Sequence, residues 1–456
     1  MTRFIPFLKA VFCLVLLLLM ALPQVQGQVD GSARTTRQLE LLVAENEVFA
    51  QAHTGFVLYD LATQAPVYTH QPDHRFVPAS NVKLLTFFVA QRLLGNRTPG
   101  LFYQDFPDRT EVWGTGYPLA LHPDFAAYDE LRPWLLQRTK PLVLNFPTDA
   151  GAVPRYGAGW SWDDFNDAYV FERSAFPLYG NKLYLDLSPV DAEGRQILLG
   201  SPPSIAASLQ QSTQREPLIT RSEFGNDFTV GANFFHPSTF PIERPLHLTP
   251  YLIANELASA YPQVRVSSGQ LPYPPPPQLS TLEVSLPDTI YRRLLQESDN
   301  FLAEQLLLQA ASQRYFLPDA ELILAYARDT LLPSIGIKDI RWADGSGLSR
   351  YSLLSPRHFA QVLMALDREV GRERLLSLLS AGGVSGTLKN RFDGRSETYV
   401  WAKTGTLRGV SAVSGLLKTK RGRWLAFSFL HNNFVGTSRP YFIQMERTLE
   451  WCYDNL

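Results

Sequence analysis

Strand-like alternation is concentrated at the two ends of this chain, and a domain built from it must bring those ends together. Near the start, Gly55 to Asp60 and Pro66 to His70 read as two strands about a short polar turn. Near the end, Thr398 to Lys403, Gly409 to Leu417 and Trp424 to His431 alternate in the same way, and a helix from about Pro440 to Tyr453 closes the chain. Between them, Thr289 to Ala311 reads as an amphipathic helix interrupted at Glu297-Ser298-Asp299-Asn300. Further helices are expected at Pro318 to Leu332, Pro356 to Leu366 and Gly371 to Leu379. This pattern predicts an α/β domain whose sheet joins both chain ends.

From about Gly95 to Val284 the composition changes. Prolines and aromatics become frequent, lysine falls to Lys140 and Lys182, and the apolar runs are short, as in Pro141 to Asn145 and Lys182 to Leu187. A helix (Pro250 to Tyr261) and a stiff proline-rich segment (Leu271 to Pro277) end this block. The expected organisation is therefore a discontinuous domain, 28–95 plus 285–456, with a β-rich insertion at 96–284. Residues 28 to about 50 are expected as an N-terminal helix.

Residues 1–27 have the pattern of a secretory signal: Arg3 and Lys9, an apolar core from Val11 to Leu22, and Val25-Gln26-Gly27 as a small-residue cleavage site. The apolar run is short for a bilayer and Pro23 ends it, so export is expected rather than a stable transmembrane anchor, with the protein in the periplasm or cell envelope. Cleavage would remove Cys13 and leave Cys452 alone, so no internal disulfide could form. A net charge of −1 and the absence of a basic run argue against a nucleic-acid partner. No H-E-x-x-H or other suitable metal pattern is present, and no cofactor or metal is expected. The G-x-S-x-G elbow of α/β-hydrolases is also absent.

Three short motifs carry chemistry. Ser80 and Lys83, one helical turn apart behind Pro78, would share a face of a helix beginning near Ser80. A lysine stripped of water by apolar neighbours such as Leu84 and Leu85 loses basicity and can act as a general base. The pair equally suits a helix cap beside a solvated lysine. Ser298-Asp299-Asn300 falls where two helical stretches meet and suits a cap as well as a site. Lys403-Thr404-Gly405-Thr406 is expected at the end of a strand, where glycine lets a ligand approach the backbone; an edge strand ending in a turn is the alternative.

In that chain order, S-x-x-K, S-x-N and K-T-G form the signature of active-site-serine penicillin-binding proteins and serine β-lactamases. The sequence resembles most closely the D-alanyl-D-alanine carboxypeptidase/endopeptidase family of low-molecular-mass class C penicillin-binding proteins. Far more chain separates Ser80 from Ser298 than in a β-lactamase, as that family's insertion requires. Asp344-Gly345-Ser346-Gly347-Leu348-Ser349-Arg350, Gly386-Thr387-Leu388-Lys389-Asn390-Arg391 and Gly159-Trp160-Ser161-Trp162-Asp163-Asp164 match further family segments. Gly116-Tyr117-Pro118 stands where many members have Gly-Asp-Pro, and Thr406 where serine is commoner.

The resemblance implies a β-lactamase-like catalytic domain, an antiparallel sheet flanked by helices. It also implies serine peptidase activity on peptidoglycan stem peptides, with β-lactam antibiotics as covalent inhibitors. Ser80 would attack the penultimate D-alanine carbonyl and Lys83 would take its proton. The backbone N–H groups of Ser80 and Thr406 would hold the oxyanion. Ser298, near Lys83, would relay a proton to the departing amine, and Asn300 would orient the substrate amide and contact the lysine. Lys403, positively charged, would help keep Lys83 neutral, and with Thr404 and Thr406 would bind the terminal carboxylate, Gly405 giving close access. A second pocket is implied for a diaminopimelate side chain, with Asp164 on its ammonium, Arg350 and Arg408 on its carboxylate, and Tyr169 beside them. The alternative there is an Asp164–Arg350 ion pair. Rival functions are a β-lactamase or esterase on the same scaffold, or a peptidoglycan-binding protein without catalysis.

Overall fold

Both chain ends meet in one sheet. The computed structural model describes residues 33–146, 153–269 and 278–456. The sheet's strands are β1 (His53–Asp60), β2 (Pro66–His70), β3 (Ser380–Ala381), β4 (Val400–Leu407), β5 (Val410–Lys418) and β6 (Trp424–Asn432), in the order β3-β4-β5-β6-β1-β2. Every neighbouring pair is antiparallel, and β1 runs beside β6 from His53↔Asn432 to Asp60↔Leu425. β5 and β6 are buried over almost their whole length, so this sheet is covered on both faces.

The period-two alternation of the strands sorts their side chains between two cores. Val413, Leu417, Phe427 and Phe429 pack with Met445 and Leu449 of the closing helix α4 (Arg439–Asn455). Their neighbours Ala412, Leu416, Ala426 and Leu430 face a larger core with α1 (Lys83–Leu93), α2 (Asn300–Tyr315) and α3 (Pro356–Val370). The described N-terminal residues run helically to Ala44 and pack Leu39 and Val43 under the first of these cores.

Between Leu94 and Val284 the described residues build three more sheets. The largest has five strands in the order Val266–Gly269, Leu142–Asn145, Thr110–Gly114, Thr98–Asp105, Ser280–Val284. Its first and last strands in the chain lie side by side, with Thr98 opposite Val284. Two three-stranded sheets follow, one containing Lys182–Leu187, and enclose a small core of their own around Leu185, Phe228 and Phe234. The expected leader at 1–27 and the proline-rich Leu271–Pro277 lie outside the described residues.

The long helical segment differs from the expected amphipathic pattern. α2 is buried from Phe301 to Ser312 on every side. One side meets α1 and the large core, and the other is covered by the middle of the chain through buried polar contacts. Gln305 Nε2 donates to the carbonyls of Gly116 (3.1 Å) and Ser174 (2.7 Å), and Ser312 Oγ donates to that of Thr115 (3.0 Å). Glu304 on the same helix pairs with Arg173 at 2.6 Å, both almost wholly buried. Removing one partner of such a pair strands the other charge, so Arg173→Met should destabilise the protein by about 3–5 kcal/mol. Urea unfolding checks this, and an unmoved midpoint would contradict the docking described here.

Candidate active site

Ser80 sits in a tight 3-10 turn, Ala79–Val82, rather than in the first turn of an α-helix; α1 begins at Lys83. The turn is entered through Ala79 at φ +48°, a left-handed conformation that an alanine adopts only when its surroundings impose it. Those surroundings are visible. Val77 N donates to Asn432 Oδ1 (2.7 Å), and Asn81 Nδ2 donates to Ser414 Oγ (2.7 Å), tying both sides of Ser80 to the sheet. Gly347, itself at φ +83°, lies so close that a Cβ there would stand 2.0 Å from the Ala79 carbonyl oxygen. Gly405 presses from the other side, where a Cβ would stand 3.0 Å from Ser80 N.

Lys83 has no exposed surface. Its Nζ lies 2.9 Å from Ser80 Oγ, 2.6 Å from Asn300 Oδ1 and 2.6 Å from the Ser346 carbonyl. Burial brings its pKa down to about 8, against the opposing pull of Asp344, Glu304 and Asp299.

Three consecutive residues of the second motif have different tasks. Ser298 ends a π-helical turn in the left-handed conformation (φ 62°, ψ 37°). Asp299 caps α2 by accepting from Leu302 N at 2.9 Å. Asn300 Oδ1 accepts from Lys83 Nζ, while its Nδ2 donates to the Tyr169 carbonyl at 2.8 Å. The Ser298 hydroxyl accepts from Lys403 Nζ at 2.9 Å. The left-handed backbone at Ser298 accompanies this turn toward β4.

The third motif lies inside β4 rather than at its end, because pairing with β5 continues through Thr406↔Ser411 to Leu407↔Val410. On the other side of β4, β3 pairs only with Trp401 and Ala402. Lys403 is buried, and its Nζ donates to the Thr404 carbonyl (2.8 Å) as well as to Ser298. Its acceptors are neutral, and burial first and Lys83 second hold its pKa well below the ordinary lysine value. Thr404 Oγ1 donates to Thr387 Oγ1 at 2.8 Å.

A cavity of about 660 Å³ opens over Ser80, lined also by Ser298, Asn300 and Thr406. Asp164, Tyr169, Arg350 and Arg408 line the same cavity. No ion pair joins Asp164 to Arg350 among the described residues; Arg350 Nη2 instead donates to the Arg408 carbonyl at 3.2 Å. The Tyr169 hydroxyl donates to Asp167 Oδ2 at 2.9 Å.

The model of the D-Ala-D-Ala carboxypeptidase 3 (S13) family matches residues 35–99 and 145–448. The chain belongs to this family. It is 31% identical over 179 residues to the D-alanyl-D-alanine carboxypeptidase DacB of Haemophilus influenzae, a stretch covering 37% of each chain. Over 99 residues it is 38% identical to a D-alanyl-D-alanine carboxypeptidase of Actinomadura sp., covering 20% of this chain and 18% of that one. The matched stretches thus span well under half the length of these relatives. The fold is shared with penicillin binding protein 4 (dacB) from Haemophilus influenzae, at a TM-score of 0.69 and 21% identity, covering 91% of this chain and 98% of that one. A second structure of that protein, complexed with a β-lactam, matches at 0.65 and 19% identity, covering 92% of this chain and 99% of that one.

Sequence reasoning assigned no part to the residues behind Lys83. Asp344 Oδ2 accepts from Ser349 N (2.7 Å), Trp160 Nε1 (2.9 Å) and Ser346 Oγ (3.2 Å), and Glu304 Oε1 accepts from Ser346 N (2.7 Å). These bonds fix the Ser346 carbonyl against Lys83. Burial first, then Glu304, push the Asp344 carboxyl up to about 6. Asp344, Ser346, Trp160 and Thr387 fall within segments shared with the family, which was the available signal. Glu304 had none beyond a helical position one turn after Asn300.

Gly347→Ala should displace the Ala79–Ser80 turn by about 1 Å while the fold persists. Acylation by a fluorescent penicillin should slow by about 10²-fold, the usual cost of misplacing a reacting atom by about 1 Å. Slowed labelling with native circular dichroism is expected; labelling at the parent rate would contradict the packing argument.

Proposed function

We propose that this chain is a serine-type D-Ala-D-Ala carboxypeptidase/endopeptidase that acts on peptidoglycan stem peptides through an acyl-enzyme on Ser80. The observation that carries this reading is the setting of Lys83 Nζ. A neutral amine has two hydrogens and one lone pair. Asn300 Oδ1 and the Ser346 carbonyl accept the two hydrogens, which leaves the lone pair directed at Ser80 Oγ, 2.9 Å away. A pKa near 8 makes that neutral form accessible at physiological pH.

In this reading Lys83 takes the proton as Ser80 Oγ bonds to the D-alanine carbonyl carbon, and the backbone N–H groups of Ser80 and Thr406 hold the oxyanion. Ser298, bonded to Lys403, passes a proton to the departing amine. Burial lowers the basicity of Lys403, and a substrate carboxylate beside it would favour its charged form. Thr404 and Thr406 flank that position. In the lining of the same cavity, Asp164, Arg350 and Arg408 suit the ammonium and carboxylate of a diaminopimelate side chain beside Tyr169. β-Lactams would acylate Ser80 in the substrate's place.

We further propose that 96–284 is a module inserted into a catalytic domain formed by 28–95 and 285–456, and that 1–27 directs export to the periplasm or envelope. No helix among the described residues is long and apolar enough to cross a membrane.

Two results test the reading. Ser80→Ala should abolish labelling by a fluorescent penicillin without unfolding the protein, and labelling that persists would contradict the nucleophile. Because Lys83 must be neutral to act, the acylation rate should climb as pH rises through about 8 and level off above it; a flat profile across that range would contradict its role as base. Rapid turnover of penicillin in place of a lasting adduct would favour a β-lactamase.

A further inference from the structure

One large apolar side chain beside the Ser80 cavity is left in solvent. Trp162 is 77% exposed, and its indole makes no hydrogen bond or ring contact among the described residues. The residues around it in the chain, Ser161, Asp163 and Asp164, line the cavity. Phe224 and Tyr251 are exposed to a similar degree, but no chain neighbour of either lines it.

The backbone that carries Trp162 is pinned to the loop behind the site. Trp160 Nε1 donates to Asp344 Oδ2 at 2.9 Å, Ser349 Oγ donates to the Ala158 carbonyl at 2.6 Å, and Arg350 N donates to that of Gly159 at 3.2 Å. Tyr351 lies against Gly159, where a Cβ would stand 2.8 Å from its Cδ2. One tryptophan therefore points inward as an anchor, and the next is held outward before any ligand arrives. A contact built in advance costs little ordering on binding. The indole offers a flat apolar face with an N–H at its edge. Beside it, the exposed Asp163 forms no hydrogen bond or ion pair among the described residues, so its carboxylate is open to a donor. A flat face next to a free acceptor matches a pyranose ring, which has C–H groups on its faces and hydroxyl and amide donors around its rim.

The proposed substrate carries such a ring. A stem peptide hangs by its N-terminus from an amino sugar, and diaminopimelate is its third residue. With that side chain seated at Asp164, Arg350 and Arg408, two residues remain before the sugar, about 7 Å of extended chain. Trp162 stands two positions before Asp164, on the segment that Arg350 N holds through Gly159. We propose that the Trp162 indole stacks on the amino sugar bearing the stem peptide, with Asp163 accepting from its donors, so that glycan-linked stem peptides are favoured over free ones. The proposal rests on the Ser80 acyl-enzyme reading and on the seat given there to the diaminopimelate side chain.

The test gives the purified full chain two substrates, a free diaminopimelate-containing pentapeptide and the same pentapeptide on its amino-sugar disaccharide, and measures the D-alanine released from each. The parent should prefer the disaccharide-linked substrate by about tenfold in kcat/KM. Trp162→Ala should abolish most of that preference and Trp162→Tyr should keep it to within about threefold, while both variants cleave the free pentapeptide and label with fluorescent penicillin within about twofold of the parent. A parent without the preference, a Trp162→Ala variant that keeps it, or equal losses on both substrates would each overturn the proposal. A parent protein that fails to label with penicillin would instead bring down the Ser80 reading beneath it.

Discussion

Lys83 is the point at which the separate parts of this fold meet. Its ammonium nitrogen is buried at the start of α1, and every atom it touches comes from a different stretch of chain: Ser80 from the turn before it, Asn300 from α2, the Ser346 carbonyl from the loop before α3. A buried lysine without partners would be costly. Here the cost of desolvation is what lowers its basicity, and three oxygens fix its direction. Each of those oxygens is held in turn. Asn432 and Asn81 tie the Ser80 turn to the sheet, Asp299 caps the helix that begins with Asn300, and Asp344 and Glu304 grip the Ser346 loop.

The middle of the chain takes part in this arrangement from behind. Trp160 donates to Asp344, Arg173 pairs with Glu304, and the Tyr169 carbonyl holds the amide of Asn300. A segment that reads in sequence as a separate block thus touches the residues that orient the base. The site's geometry depends on these contacts of Trp160, Tyr169 and Arg173 as well as on the three short motifs.

Much of this was legible beforehand. Strand alternation placed the sheet at both chain ends because a period of two with one apolar set per face leaves little choice. The break at Glu297 to Asn300 was visible because polar residues interrupt an apolar run. Three features were not legible. The burial of α2 on all sides depends on tertiary cover by distant residues such as Gly116 and Ser174, which local periodicity does not encode. The continuation of β4 through Lys403 to Leu407 is set by pairing with β5, whereas glycine and two threonines read locally as a turn. The bond from Lys403 to Ser298 is made at a non-glycine residue with a left-handed backbone, for which the sequence carries no sign.

The central claim is that one hydroxyl, at Ser80, is the nucleophile that Lys83 activates. Trypsin cleaves after Arg75 and after Lys83, so the claim can be read from a single fragment. After incubation with a β-lactam and digestion, mass spectrometry should find the acyl adduct on Phe76–Lys83, fragmenting to Ser80. An adduct on any other peptide, or an unmodified Phe76–Lys83 in fully inhibited protein, would contradict it.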